Sequence, residues 1–567
     1  MDQMNKQNRV LVIGYDGATW DLAETWAKTG KLPALASLMQ RGGYGPLQSV
    51  MPVLSPAAWA SFATGVHPGK HGIFDFVQRQ QNDYRLRLVT ASDLRRPVFW
   101  SLASQAGKRA AIVNVPLTYP ANEINGVMIT GLGTPEGRPF TYPLELGPEI
   151  KKRGYRVNRI EFYKPGREEA YLRDVYDMTD RLADISFDLF CQEPWDLFVV
   201  VFRDLDEVSH YFWKHMDKSH PQHDPLGDVH YADVIERFYR HLDRQLARFI
   251  EAAGPEVDVM VISDHGFGPL YKDVYLNEWL KQEGFLAMKT SSGSRSLLQR
   301  AMLRLGLTRQ RVSHRLQDMG LAVFERRLRR LLQDQLDAFP AHDRAVFPEA
   351  VDWSRSRAYS FGYHGQIFVN LRGREPGGIV DPGQDYEKLL AMLEDKLANL
   401  VDPQDGLPVV TKMIRGRELF GEAIAHGAPD LVLLMRDLAY ITRQGYEFGP
   451  IPGTIFQQPA GFETGSHREM GMAAFAGPHF VRRSWHAPYS LTDIAPTIMH
   501  LLGIVADIQM DGRVLHEQLT VASEGQSLVS VSARASSEGV APDVEPVLSP
   551  EEEQEMAERL RRLGYLG

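Results

Sequence analysis

The chain has one cysteine in 567 residues, Cys191, inside the apolar run 185–191. A disulfide within the chain is excluded, which fits a reducing compartment. Long hydrophobic runs are also missing: no stretch approaches the roughly 18 apolar residues of a membrane span. The first ten residues run straight into a short apolar strand without a secretory h-region, so a cytoplasmic location is expected. Positive charge is in deficit, with a net charge of −9, and the whole-chain field repels phosphate polymers. A nucleic-acid partner is therefore not expected. An anionic substrate must be met by local positive charge, which a bound metal can supply. No internal repeat is evident.

What remains is ordinary for a soluble globular protein: 44% hydrophobic and 24% charged residues, in a chain long enough to bury a large core. Short apolar runs at 10–13, 110–115, 197–202, 257–262 and 431–435 alternate with helical patterns such as 235–252 and 386–400. Buried strands alternating with helices predict a three-layer α/β/α sandwich around a mostly parallel central sheet. Ligands of such sheets sit beyond the carboxyl ends of the strands.

The sequence divides into one large domain over 1–522, a linker rich in Ser, Glu, Ala and Pro over 523–549, and a short C-terminal helix within 550–567. Two segments read as insertions. Residues 118–174 are rich in Gly, Pro and Tyr and are expected to form loops over one edge. Residues 286–345 contain a basic stretch, 289–330, with one lysine and ten arginines against two acids, a net +9. Its apolar spacing predicts amphipathic helices forming a cap, with docking on an anionic membrane or nucleic acid, or guidance of a charged substrate, as the alternatives. The C-terminal helix is expected to bind either a partner or the protein's own surface.

Chemistry-bearing residues follow the apolar runs. The first strand ends in Gly14-Tyr15-Asp16-Gly17, and the strand at 257–262 in Ser263-Asp264-His265-Gly266. Glycines there permit close backbone approach, so neighbouring side chains can converge on one ion. After the strand at 197–202, Asp206 and His210 stand four apart and share one helical face. A carboxylate beside an imidazole suits a metal of borderline softness. A later loop carries Gly465-Ser466-His467. Ser55 precedes an Ala-rich helical segment, where a hydroxyl meets the positive end of the helix dipole. Each has a plainer reading: Asp16, Asp206 and Ser55 as helix caps, and the histidines as packed or loop residues.

Taken in order, Asp16, Ser55, the Asp206/His210 pair, Asp264-His265 and His467 resemble the motif series of the type I phosphodiesterase/nucleotide pyrophosphatase branch of the alkaline phosphatase superfamily. The likeness spans about residues 9 to 515, including Leu491-Thr492-Asp493-Ile494-Ala495-Pro496-Thr497 and Met510-Asp511-Gly512-Arg513. It implies an alkaline phosphatase-like fold and two divalent metal sites, with zinc the expected ion and manganese the runner-up. One site would use Asp206, His210 and His467. The other would use Asp16, Asp264, His265 and the Ser55 hydroxyl. Ser55 would then be the nucleophile toward a small-molecule phosphate ester, forming a covalent intermediate that water resolves.

Two features depart from that pattern. The family nucleophile is often Thr, and Pro56 follows Ser55 directly. Phe76 stands where the nucleotide pyrophosphatases place an Asn on a phosphate oxygen, so a nucleotide substrate is not implied. A phosphomutase is one alternative, although the inserted transferase domain of that branch is not seen. A sulfatase would carry Cys/Ser-x-Pro-x-Arg, which Ser55-Pro56-Ala57-Ala58-Trp59 does not match. A non-catalytic metal-binding scaffold is disfavoured because all seven positions hold competent side chains.

Overall fold

The computed structural model describes residues 8–563 except 81, 227, 290–346, 444, 446–447, 450, 460, 521–527 and 533–546. Nearly all of the expected basic cap falls outside the described residues.

Nine strands form the central sheet: β1 (Arg9–Tyr15), β2 (Gly43–Gln48), β3 (Ala110–Val115), β4 (Gly126–Thr130), β5 (Thr141–Tyr142), β6 (Leu197–Phe202), β7 (Val257–Ile262), β8 (Met470–Ala476) and β9 (Tyr489–Ser490). Their spatial order is β9-β2-β8-β7-β1-β6-β3-β4-β5. The centre is parallel, with β1 between β6 and β7. Strand β8 runs antiparallel to β7 and β2. Every residue of β3, β6 and β7 is buried, which is why these strands read as continuous apolar runs.

Alternate side chains feed two cores. On one face Leu11 and Ile13 pack with helices α2 (Glu168–Gln192), α3 (Asp204–Met216) and α4 (Val234–Ala253). On the other, Val10 and Val12 pack with α1 (Ser55–Thr64) and α5 (Ile494–Leu501). The α/β/α sandwich is thus present.

A second sheet has its own core. Seven short strands between Lys272 and Gln457, mostly antiparallel, pack with the helix Gln384–Ala398. The run Leu431–Met435, expected in the central sheet, belongs here and pairs antiparallel with Gln366–Val369 and Val410–Arg415. A buried apolar run reports burial without saying in which sheet it is buried.

Two other boundaries shift. Residues 118–174 do not only loop over an edge: β4 and β5 extend the central sheet there, and Leu146–Lys152 is helical. Within the expected linker, Val529–Val531 pairs with Ile504–Ala506. The C-terminal helix α6 (Pro550–Arg562) is capped by Ser549 and Glu552 in a reciprocal box. It docks on the protein's own surface, where Met556 and Leu560 pack with Phe76, Leu88, Tyr119 and Leu132. Phe76 is therefore part of an apolar seat for α6. Among the described residues no helix is long and apolar enough to cross a membrane.

Candidate two-metal active site

Parallel register brings three chemical segments together. Gly14 lies opposite Val201 and Ile262, so β1, β6 and β7 end side by side. From these ends emerge Asp16, the α3 segment with Asp206 and His210, and Asp264-His265. A short antiparallel ribbon, Gly266–Pro269 with Gly465–Arg468, sets His467 opposite Phe267. Gly465 is required at this crossing, because a Cβ would lie 2.5 Å from the Ser209 carbonyl oxygen.

Ser55 opens α1 but does not cap it: the cap position is Leu54, and no side-chain cap bond is made. Its hydroxyl instead lies 3.4 Å from Asp16 Oδ1 and 3.3 Å from His265 Nε2. Asp206 likewise faces inward from the first turn of α3, fully buried, toward His210 and His467. All seven expected residues meet in one place.

The carboxylates are held by one oxygen each. Trp59 Nε1 donates to Asp16 Oδ2 at 2.9 Å, leaving Oδ1 toward Ser55. Gly14 leaves room for that indole, since a Cβ there would sit 2.6 Å from the ring. The Gly17 N–H donates to Asp264 Oδ1 at 3.2 Å, while the buried Oδ2 accepts no hydrogen bond among the described residues.

The histidines are oriented the same way. Nδ1 of His210 contacts the Gly465 carbonyl at 2.8 Å, Nδ1 of His467 the Val53 carbonyl at 2.8 Å, and Nδ1 of His265 the Gly266 carbonyl at 3.1 Å. A carbonyl only accepts, so each Nδ1 carries the proton. In the neutral ring Nε2 is then a lone pair, and all three lone pairs point into the site.

Donor spacing tests the fit to metal. Ligands about 2.0–2.1 Å from a tetrahedral zinc stand about 3.3–3.4 Å apart. In the first set, Asp206 and His467 approach to 3.2 Å, Asp206 and His210 to 3.4 Å, and His210 and His467 to 3.2 Å. In the second, His265 Nε2 lies 3.3 Å from Asp264 and 3.6 Å from Asp16, with Ser55 as given above. Two clusters that could hold a metal ion, Asp16/Asp264/His265 and Asp206/His265/His467, share His265. His265 Nε2 is 4.0 Å from Asp206, so the two sets adjoin.

Electrostatics agree. Burial pushes the carboxyls of Asp16 and Asp264 well above the usual range; repulsion from Asp264 and Asp206 adds to the shift of Asp16, and repulsion from Asp206 to that of Asp264. Such acids are held ionised only by positive charge placed among them. The donor set fits two borderline divalent cations.

Residues not singled out from sequence also reach the site. His364, in a loop of the second sheet, stacks 5.8 Å from His467. With Tyr363, Arg443 and Glu463 it lines a cavity that His210 and His467 border. The paired glycines of Phe361-Gly362-Tyr363-His364-Gly365 were the one local signal of a special turn there.

A family-model match makes the chain a phosphoric ester hydrolase of the alkaline phosphatase superfamily. The model of the type I phosphodiesterase / nucleotide pyrophosphatase family matches residues 10–367, more than half of the chain, and the protein belongs to that family. The matched segment includes six of the seven site residues; His467 lies beyond it. No match was found among curated proteins. Among solved structures, human ectonucleotide pyrophosphatase / phosphodiesterase 5 is 12% identical, covering 90% of this chain and 100% of its own, with a TM-score of 0.48. The murine protein, in an inactive form in complex with AMP, is 13% identical, covering 91% and 100%, with a TM-score of 0.49.

Proposed function

We propose that the protein hydrolyses phosphate esters of small molecules with two divalent ions, zinc in the first place and manganese as the substitute, through a covalent intermediate on Ser55. Asp206, His210 and His467 would hold one ion, and Asp16, Asp264, His265 and Ser55 the other. The observation that carries this reading is the placement of the Ser55 hydroxyl at the start of α1, within 3.4 Å of Asp16 and His265 and away from any capping role. When bound, the ions supply positive charge that lowers the Ser55 hydroxyl pKa and offsets charge on attacking and leaving oxygens.

The chain's own groups do the rest. Ser55 Oγ forms a bond to phosphorus as the bond to the leaving oxygen breaks in line, and the serine proton is balanced by protonation of the departing alcohol. Ala58 N is the first helix amide bonded within α1, to Leu54 O, so the N–H groups of Ser55 and Ala57 ahead of it, with Pro56 having none, could face a phosphoryl oxygen. Water then attacks phosphorus, Ser55 recovers its proton, and one water is consumed overall. Trp59 and the carbonyls of Val53, Gly465 and Gly266 keep the donors aimed.

Elemental analysis of the purified protein, together with hydrolysis of para-nitrophenyl phosphate and bis-para-nitrophenyl phosphate, tests the reading. Two bound ions per chain and turnover of either ester are expected. Bound ions with no turnover of any ester would instead mark a metal-binding scaffold.

A further inference from the structure

We infer that the cavity between His364 and the His210–His467 pair receives the leaving group, and that it selects compact, uncharged alcohols or phenols over a second phosphate. The inference rests on the proposed reaction at Ser55. In-line displacement sends the leaving oxygen away from the attacking one. Ser55 belongs to the Asp16/Asp264/His265 side, so the leaving group departs toward Asp206, His210 and His467. The cavity opens on that side, bordered by His210 and His467 and by Leu54, the neighbour of Ser55.

Part of its wall is apolar. Leu54, Leu270, Tyr363 and Ile441 form one buried cluster there. The cation on this wall, Arg443, is already engaged: its guanidinium lies 2.9 Å from Asp273 and 3.4 Å from Glu463. These three side chains sum to one negative charge, and Glu463 itself lines the cavity. The second phosphate of a pyrophosphate would meet that carboxylate in a buried setting, where like charges repel strongly. A neutral alcohol meets no such barrier.

His364 supplies the polar contact in this pocket. It is 3% exposed, and its Nδ1 is buried with no hydrogen-bond partner among the described residues. Its backbone is left-handed, at φ +60°, between Gly362 at +88° and Gly365 at +64°. Such a conformation persists only where its surroundings enforce it. They do: Asp75 Oδ2 accepts from the Tyr363 N–H at 3.0 Å, and Thr442 Oγ1 accepts from the Gly365 N–H and donates to the Gly362 carbonyl. An imidazole held against its own preference, with an open ring nitrogen in a partly apolar pocket, is placed to hydrogen-bond a polar atom of the leaving group.

The test uses two substrates that transfer the same group from the metal-loaded full chain. One is the para-nitrophenyl ester of thymidine 5′-monophosphate, with an uncharged ring as leaving group. The other is dithymidine 5′,5′-diphosphate, whose leaving group is a nucleotide phosphate. The aryl ester should be preferred in kcat/KM by about tenfold or more. His364→Ala should shrink that preference, His364→Asn, which tolerates left-handed backbone, should retain more of it, and Glu463→Gln should raise pyrophosphate turnover relative to ester. Equal or better use of the pyrophosphate, or an equal loss on both substrates in His364→Ala with metal content intact, would overturn the selectivity while leaving the hydrolase reading in place. Turnover that survives Ser55→Ala would overturn that reading and this inference with it, whereas turnover of neither substrate while para-nitrophenyl phosphate or its bis ester is still hydrolysed would overturn this inference alone.

Discussion

Nε2 of His210 lies 3.2 Å from Nε2 of His467, although the two residues are 257 positions apart in the chain. Because both Nδ1 atoms face carbonyl oxygens, two lone pairs confront each other in a buried site. Between neutral rings that contact is repulsive, and a proton or a metal ion between them relieves it.

Metal should therefore stabilise the fold as well as support activity. Chelation should abolish turnover and lower the thermal midpoint, and zinc or manganese should restore both. At a free ion concentration about 1,000 times Kd, the gain is about 4 kcal/mol per site. Calorimetry across a metal titration reads it, and a midpoint indifferent to metal would exclude the ligand sets.

Ser55→Ala should cost about four to six orders of magnitude in kcat while metal content stays near two ions. Ser55→Thr keeps the hydroxyl and should retain much of the rate. Wild-type protein quenched during turnover should carry a phosphoryl adduct on the Ser55 peptide by mass spectrometry. Near-normal activity in the alanine variant would rule out this nucleophile.

Asp75 clamps the His364 loop to the lobe of the nucleophile, accepting from the N–H groups of Phe76 at 2.6 Å and Tyr363 at 3.0 Å. Burial raises its carboxyl from 3.8 to about 8. The folded state therefore keeps a proton that the unfolded chain releases above 3.8. This group's contribution is fully present below that pH and is lost as pH rises toward about 8. Urea midpoints should fall across this window, and Asp75→Asn should reduce the slope even though it loses an acceptor. An unchanged slope in the variant would remove Asp75 as the cause.

Behind the Asp206/His210/His467 donor set, Arg159 is fully buried between Asp204 at 2.5 Å and Glu207 at 2.7 Å, both in the first turn of α3 beside Asp206. Truncation would take one counter-charge from two buried acids, with Arg203 still 3.1 Å from Glu207. Arg159→Ala should destabilise the protein by about 3–5 kcal/mol. It should also weaken metal retention, since the turn bearing Asp206 loses its anchor. Denaturant unfolding and dialysis against chelator measure the two effects separately.

Docking of α6 is a packing matter. Leu560 is buried against Phe76 and Tyr119, and the Leu88 N–H donates to Glu553 at 2.8 Å. Leu560→Ala should cost about 2–5 kcal/mol of whatever free energy holds α6 in place. Limited proteolysis should then cut near the C-terminus first, with turnover at Ser55 preserved.

The sequence by itself determined the parts whose physics is local. Buried parallel strands announce themselves as unbroken apolar runs, and Asp16, Asp206 and Asp264-His265 are legible because each follows such a run. Family resemblance joined these pieces into one ordered set. The tertiary structure alone decided what depends on partners far along the chain. The run 431–435 looks like any buried strand, yet pairing places it in a second sheet. His364 carries no signal beyond nearby glycines, because its meaning lies in a cavity shared with residues 100 and more positions away. Phe76 marks a missing polar contact when read alone, and its packing partners turn out to be on α6. Periodicity and turn chemistry act over a few residues, whereas the convergence of lone pairs and the choice of sheet are set by packing between distant segments.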